Sequence, residues 1–470
     1  MGSYPDKPMK KNIFIDMSNC IRIPASQLQE GMFVAELDCS WLETPFLLQG
    51  FVIRRQSEIR KLQELCNHVY VEKEGRLWGD KKDPFKRGFG ANKRNMQGDD
   101  SGLQARARRK QNEPSLASSI NTRPEFKVKT AVAEEHKFAL KTYQYAKTAM
   151  VDILEQARLG NALETETAKV VVKQCVDSIL RNPYALMWMA KIKHVDDYTL
   201  EHCLNVCVLA IAFGRHLRMD EARLEKLGIC GLMHDVGKMQ IPGEILNKPG
   251  ELTKEEHAVM QTHTLKGRDL LIKNKNALSF TIDVAMNHHE RIDGKGYPRG
   301  LHAAEMSDYT RIIAIVDAFD AMTSERCYSR AKSTLGALKE IYNKRGKQFD
   351  EELALEFIQI IGPYPPGTIV KLKNGCVGIV LSSELKKRHL PIVKIVLDEN
   401  KQQQEPELIN LLDVSTGTIP KTYLISRVLK DGDHGVNLED YPVRSIVVRS
   451  LSSEDGAEAD DDQLGQPEEE

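Results

Sequence analysis

The sequence predicts a mostly α protein: an all-α helical bundle, with a small α+β module before it and a small β-rich appendage after it. Three observations lead there. Helical periodicity runs almost throughout residues 126–362, whereas strand-like runs bounded by turn residues mark residues 21–74 and reappear after Pro363. Residues 75–124, between the first two blocks, are rich in Gly, Asn, Gln and Ser and read as a linker. At 470 residues the chain has room for two or three domains, and 28% charged with 41% apolar residues is ordinary for a globular protein.

Residues 1–20 are read as a flexible N-terminus. In the α+β module of residues 21–74, Gly31-Met32-Phe33-Val34-Ala35, Gly50-Phe51-Val52-Ile53 and His68-Val69-Tyr70-Val71 are strand candidates, and residues 57–65 have helical spacing. The linker, residues 75–125, is basic: from Gly75 to Pro124 it holds twelve Lys/Arg against five Asp/Glu. With few aromatic residues it reads as a solvated connector and not as a nucleic-acid surface. Within residues 126–362, helices are expected at 131–159, 164–180, 198–217, 221–234, 254–272, 281–288, 309–323, 333–343 and 351–361, joined by short loops as in a bundle. Residues 363–450 begin Pro363-Tyr364-Pro365-Pro366-Gly367 and continue with two strand runs around Asn374-Gly375, a hairpin signature. Residues 391–397 and 423–428 add strands. Residues 451–470 carry nine Asp/Glu and no Lys/Arg, and read as an acidic disordered tail.

No run approaches the ~18 uncharged apolar residues of a membrane span, and the polar start, residues 1–11, is no secretory signal. Nine cysteines scattered from Cys20 to Cys376 fit reduced thiols, so a cytoplasmic location is expected. Cys203 and Cys207, four apart on a helix, read as small core residues. A homodimer, and a protein partner engaged through the N-terminal module, are compatible with the sequence; a stable nucleic-acid partner is not expected.

The chemistry concentrates between residues 198 and 328. Nine of the thirteen histidines lie between His194 and His302. His234-Asp235 closes an apolar helix and runs into Val236-Gly237-Lys238. A carboxylate entering a buried place is costly unless it is paired or bound to metal. Gly237 can break the helix and let the backbone approach a ligand closely, and Lys238 lies on roughly the side of His234, within reach of a phosphate oxygen. Asp317 follows Ile312-Ile313-Ala314-Ile315-Val316, where an unpaired anion would cost several kcal/mol; a salt bridge would serve it equally, and Asp320 is placed to share the role. His288 and His289 differ by about 100° on a helix, which suits two metal ions better than one. His202 and His263 stand alone on helical patterns. His194, His216, His257 and His302 sit among charged or loop residues and read as surface.

Taken together these positions resemble the HD-GYP family of cyclic dinucleotide phosphodiesterases. His234, Asp235 and Lys238 correspond to its HD-x-G-K element, with His202 before it and His263 after. His288-His289-Glu290, Asp293-Gly294 and Gly296-Tyr297-Pro298 correspond to the long HHE-xx-DG-x-GYP element. Asp317 leads into Phe319-Asp320-Ala321, and Arg326 with Tyr328 correspond to Arg-x-Tyr. The likeness spans residues 198–367, and residues 21–74 resemble the small domain often found ahead of it. It implies hydrolysis of cyclic di-GMP to linear pGpG, and more slowly to GMP, in a helical HD-type domain. The implied metal ligands are His202, His234, Asp235, His263, His288, His289 and Asp317. They would hold two divalent transition ions, iron or manganese by the resemblance, with Asp235 bridging. His234 and Asp317 would complete one shell, His263, His288 and His289 the other, and His202 would ligate or orient the attacking hydroxide. Lys238, Asp235 and His202 are thus the catalytic candidates; Lys238, Asp293, Gly294, Tyr297, Arg326 and Arg330 are the substrate-binding ones. Members with a third metal are expected to carry a glutamate where this chain has Tyr198, and Ser329 stands where a basic residue often follows Arg-x-Tyr. A phosphohydrolase of another cyclic dinucleotide or a nucleotide, and a non-catalytic cyclic di-GMP receptor, are the alternatives.

Overall fold

The computed structural model of the protein describes residues 20–30, 32–38, 51–53, 56–72, 125–163, 165–192, 198–274, 278–325, 331–384 and 387–441. The calls on residues 1–19, 75–124 and 451–470 lie outside these, while Cys20, read as part of the flexible N-terminus, belongs to a strand.

In the first part, strands β1 (Cys20–Pro24), β2 (Phe33–Leu37), β3 (Phe51–Val52) and β4 (His68–Glu72) form an antiparallel sheet in the order β1-β4-β2-β3, with helix α1 (Gln56–Leu65) between β3 and β4. Val34, Leu37, Ile59, Leu62, Val69 and Val71 pack into a small core of their own. Strand β1 was not anticipated. Its register with β4, Cys20 opposite Glu72, supplies the edge pairing that its mixed polar sequence does not announce.

The helical part contains α2 (Val132–Arg158), α3 (Thr165–Arg181), α4 (Pro183–Met189), α5 (Tyr198–His216), α6 (Glu221–Met233), α7 (Gly243–Leu246), α8 (Lys254–Gln261), α9 (His263–Ile272), α10 (Ser279–Asn287), α11 (Asp308–Thr323), α12 (Thr334–Lys344) and α13 (Glu351–Ile361). Helix α5 is apolar nearly all round, the pattern of a helix at the centre of a bundle. Two differences from expectation have clear causes. Asn182 caps α4, its side chain accepting from the Tyr184 amide with Pro183 at the first turn, so a seven-residue apolar run forms its own helix. The single helix expected over 254–272 is divided at Thr262. There the Thr262 hydroxyl and the His263 ring both bond back to carbonyls three residues earlier, at 2.6 and 2.7 Å.

Beyond α13, strands β5 (Ile369–Leu372), β6 (Val377–Ser382), β7 (Ile392–Leu397), β8 (Gln403–Asn410) and β9 (Ile425–Val428) form an antiparallel sheet ordered β8-β7-β6-β5-β9. It packs on the helices: Ile369, Val377, Ile379 and Val396 join the main core, while Val370, Val380, Val393 and Ile395 build a second core on the other face. The Tyr184 hydroxyl donates to Ser383 O at 2.6 Å, tying α4 to this sheet. Strand β8 was not foreseen because Gln403, Gln404, Glu405 and Pro406 are poor strand formers, tolerated at a sheet edge. Among the described residues no helix is long and apolar enough to cross a membrane.

Candidate metal centre

Five helices deliver the candidate ligands, most of them at helix ends. Helix α5 carries His202. His234 is the C-cap of α6, and Asp235 follows it outside the helix. His263 opens α9, His288 caps α10 with His289 next, and Asp317 sits within α11. The short 3-10 turn Val236–Gln240 is pressed against α9. A Cβ at Gly237 would lie 1.9 Å from the carbonyl oxygen of His263 and 2.4 Å from Gly267 N. The glycine therefore serves helix packing: its absent side chain lets the Asp235 segment reach the start of α9.

These seven side chains converge into two adjoining groups, Asp235 with His263, His288 and His289, and His202 with His234 and Asp317. Within each group the candidate ligand atoms all lie within 4.8 Å of one another. Asp235 stands between the groups. Its Oδ1 is 3.4 Å from His263 Nε2 and 3.6 Å from His288 Nε2, and its Oδ2 is 3.4 Å from His202 Nε2 and 3.2 Å from His234 Nε2. Asp317 Oδ1 is 3.1 Å from His202 Nε2, and Oδ2 is 3.8 Å from His289 Nδ1. Lys238 pairs with Asp235 Oδ2.

The imidazole orientations fit a cation site. Nδ1 of His234 donates to Gly231 O at 2.8 Å, and Nδ1 of His263 to Met260 O at 2.7 Å. Nδ1 of His288 is shared between Val284 O and Ala285 O at 3.1 Å each. A carbonyl oxygen can only accept, so these neutral rings carry their protons on Nδ1 and aim bare Nε2 lone pairs inward. His263 Nε2 and His288 Nε2 are 3.3 Å apart, and both face the Asp235 carboxylate. Lone pairs and an anion in such proximity repel one another unless a cation lies among them. His234 Nε2 and Asp235 Oδ1 are buried without a hydrogen bond, as suits atoms that ligate a cation. An imidazole and carboxylate donor set of this kind takes divalent transition ions.

Electrostatics reinforce the picture. Burial would raise the Asp235 carboxyl, yet Lys238 and His234 beside it hold it well below the usual carboxylate range. Burial likewise opposes ionisation of Asp317, but His202 and His289 keep it well below that range. Burial lowers His263 to about 3 and depresses His234 and His289. His202 goes the other way: burial would lower it, but Asp235, Asp317 and Asp320 together carry it to about 10.

The loop after His289 forms one wall of a cavity of about 210 Å³, bordered by His289, Lys295, Tyr297, Asp317 and Gln348. Glu290 is buried, its carboxylate accepting from the amides of Arg299, Gly300 and Leu301 at 2.6, 3.1 and 2.9 Å. Gly296 closes the loop on itself, since a Cβ there would meet Arg291 N and Glu290 Cα at 2.4 Å. Tyr297 lays its ring against His289, with centroids 4.8 Å apart. Asp293 is gripped by Arg291 at 2.7 and 3.0 Å, which holds its carboxyl down at about 2. Gly294, next to it, has φ +73°. Arg326, Tyr328 and Arg330 lie outside the described residues, as do His194 and the side chain of Tyr198.

Of the histidines read as surface, His257 and His302 are exposed. His216 is not: its ring is buried beside Glu356, Nε2 to Oε2 at 2.8 Å, because the end of α5 packs against α13. Asp320, expected to share the role of Asp317, instead backs the histidine from behind, its Oδ2 accepting from His202 Nδ1 at 2.8 Å. The expectation rests on its position three residues after Asp317 on the same helix.

An HD domain matches residues 186–353, and a domain of unknown function, DUF3391, matches residues 20–168. The chain is 33% identical over 390 residues to a cyclic di-GMP phosphodiesterase of Pseudomonas aeruginosa, covering 83% of this chain and 88% of that one. A cyclic di-GMP phosphodiesterase of Thermotoga maritima is 37% identical over 166 residues, 35% of this chain and 45% of that one. A 3′3′-cGAMP-specific phosphodiesterase of Vibrio cholerae is 38% identical over 146 residues, 31% of this chain and 33% of that one. With the HHE-xx-DG-x-GYP loop folded against a His/Asp centre, the chain belongs to the HD-GYP family of phosphodiesterases within the HD superfamily.

Proposed function

We propose that this protein is a cytoplasmic phosphodiesterase that opens cyclic di-GMP to linear pGpG, and more slowly yields GMP, with two iron or manganese ions held by the seven His/Asp side chains. The observation that carries the reading is the placement of Asp235 between two ligand groups beside a cavity walled by the Tyr297 loop. Asp235 would bridge the ions. His234, Asp317 and His202 would complete one shell, and His263, His288 and His289 the other. Two divalent cations supply a water nucleophile at neutral pH and neutralise phosphate charge.

The remaining work falls to the chain itself. Lys238 places its ammonium at the centre, where it meets the negative charge that grows on the phosphoryl oxygens. Tyr297, braced on His289, offers its ring to a guanine, while Gly294, whose open side is filled by the His302 ring, shapes the loop that presents it. Asp293, paired with Arg291, stiffens that loop while bordering the substrate. Arg326 is assigned to the second phosphate as a charge-assisted donor, and Arg330 to the substrate as a further cation.

Hydrolysis of cyclic di-GMP by the purified protein with Mn²⁺ or Fe²⁺ tests the reading, with 3′3′-cGAMP and other cyclic dinucleotides as comparison. A second substrate reading is favoured by the similarity to the cGAMP-specific enzyme. A larger kcat/KM for 3′3′-cGAMP would select it, and tight binding of cyclic di-GMP without turnover would make the protein a receptor.

A further inference from the structure

Helix α2 lies upstream of the HD match and inside the DUF3391 match, yet it reaches the centre through a line of polar contacts. Tyr143 Oη donates to Asn205 Oδ1 at 3.4 Å, and Asn205 Nδ2 donates to Asp320 Oδ1 at 3.4 Å. The other oxygen of Asp320 accepts from His202 Nδ1 at 2.8 Å, and His202 Nε2 faces Asp317 and Asp235. Asn205, Asp320 and His202 are buried, so solvent cannot substitute for a lost partner. One turn further along α2, Lys147 Nζ pairs with the buried Glu201, the neighbour of His202, at 3.2 Å.

We infer that Tyr143 is a positioning residue, which fixes the side-chain amide of Asn205 so that Asp320 holds the His202 ring with Nε2 turned to the centre. The argument is one of donors and acceptors. An amide can present either its oxygen or its NH₂ to a given neighbour. Burial and the nearby carboxylates of Glu201 and Asp320 push Tyr143 well above the usual phenol range, so its hydroxyl stays a donor. It therefore takes the amide oxygen, and the NH₂ is left for the carboxylate. The opposite flip would set the amide oxygen against an anion. Asp320, held through one oxygen by Asn205, keeps its second oxygen on His202 Nδ1. The HD centre is thus completed from outside the HD domain.

This inference rests on the reading of His202 as a residue of the metal centre, and the test separates the two. In the full-length protein, Tyr143→Phe keeps the ring and removes the donor. We expect a roughly 10-fold loss in kcat with KM unchanged, and faster metal release to a chelator, the range in which partners of metal-holding histidines act. The metal-free protein should lose some thermal stability, because the buried Asn205 oxygen is left without its donor, so kcat and metal release are compared at a temperature where both proteins are fully folded. Combined with Asp320→Asn, the losses should fall well short of additive, because both changes act on one ring. Unchanged kcat and metal release in Tyr143→Phe, or simple additivity, would overturn the inference. His202→Ala is the parallel control: metal content and turnover intact there would refute the metal reading itself.

Discussion

The ammonium of Lys238 rests on Oδ2 of Asp235, the carboxylate oxygen that also faces Nε2 of His202 and of His234. One oxygen is therefore shared between a fixed cation and the place where a metal ion would bind. Lys238→Ala removes a competitor for that oxygen as well as a phosphate partner. Metal content should stay at the wild-type level or bind more tightly, while kcat falls about 100-fold, as when one charge-stabilising donor is lost. Metal analysis alongside steady-state kinetics checks both. A metal-poor variant would show that the lysine instead holds Asp235 in place.

Asp235 has no substitute, since its two oxygens face different ligand groups. Asp235→Ala should strip at least one metal and abolish hydrolysis. His257→Ala, at an exposed position on α8, should be nearly silent in both assays. Full metal content and turnover in the aspartate variant would place the centre elsewhere.

The seven His/Asp positions were legible because their chemistry is written in residue type: carboxylates and imidazoles at the ends of apolar helices are rare without a partner. What sequence could not supply was direction. Asp320 differs from Asp317 by three residues on one helix, and only the packing of α11 on α5 turns one to the centre and the other to the far side of His202. Tyr143, some sixty residues before Asn205, has no local signal at all. Gly237 carried a signal that was read in part, since close approach was expected toward a ligand and is made to the α9 backbone. The folding of the C-terminal sheet onto the helices was hidden for a similar reason. Alternation in β5 and β6 shows that both faces are apolar but not what covers each.

The Gly237 contact gives a stability test with an internal control. In Gly237→Ala the new methyl would lie 1.9 Å from His263 O and 2.4 Å from Gly267 N, both backbone atoms that cannot rotate away. The turn and α9 must part, at a cost of about 3 kcal/mol, and His263 should leave the centre with them. At Gly243 nothing lies within 4 Å of an added Cβ, so Gly243→Ala should be neutral or stabilising by up to ~1 kcal/mol. Denaturant unfolding of the two metal-free variants compares them directly. Equal midpoints would mean that the turn has room to move.

Acid should destabilise the metal-free protein. His263 is depressed to about 3, with His234 and His289 also lowered, so below the ordinary histidine value of ~6.5 the unfolded chain binds protons that the folded chain refuses. Their contribution is present above pH ~6.5 and is lost as pH falls toward 3. His202, raised to about 10, has the opposite sign: its contribution is full below ~6.5 and fades as pH rises through 10. On the acid side His202 already contributes in full, so the three depressed imidazoles set the slope. Melts in chelator should show Tm falling steadily from pH 7 to pH 4.5, and a flat profile would contradict the buried neutral imidazoles.

Tyr198 bears on the number of metals and hence on the product. It opens α5 one turn before His202, and residues four apart on a helix share a face. A glutamate in that place would offer a third cation an anionic ligand, which a neutral phenol does not. The wild-type protein should therefore bind two metals per chain. With one fewer cation to hold a terminal phosphate, pGpG should accumulate before GMP appears. Tyr198→Glu should add a third metal and shorten the lag before GMP. Metal counting and the product time course probe separate steps of this argument: three metals in the wild-type protein would refute the first, and immediate stoichiometric GMP the second. Arg330 offers a route by which the second step fails while the first holds, since its guanidinium can carry the charge that the missing cation would have met. Tyr198→Glu would then take up its third metal without any change in the time course.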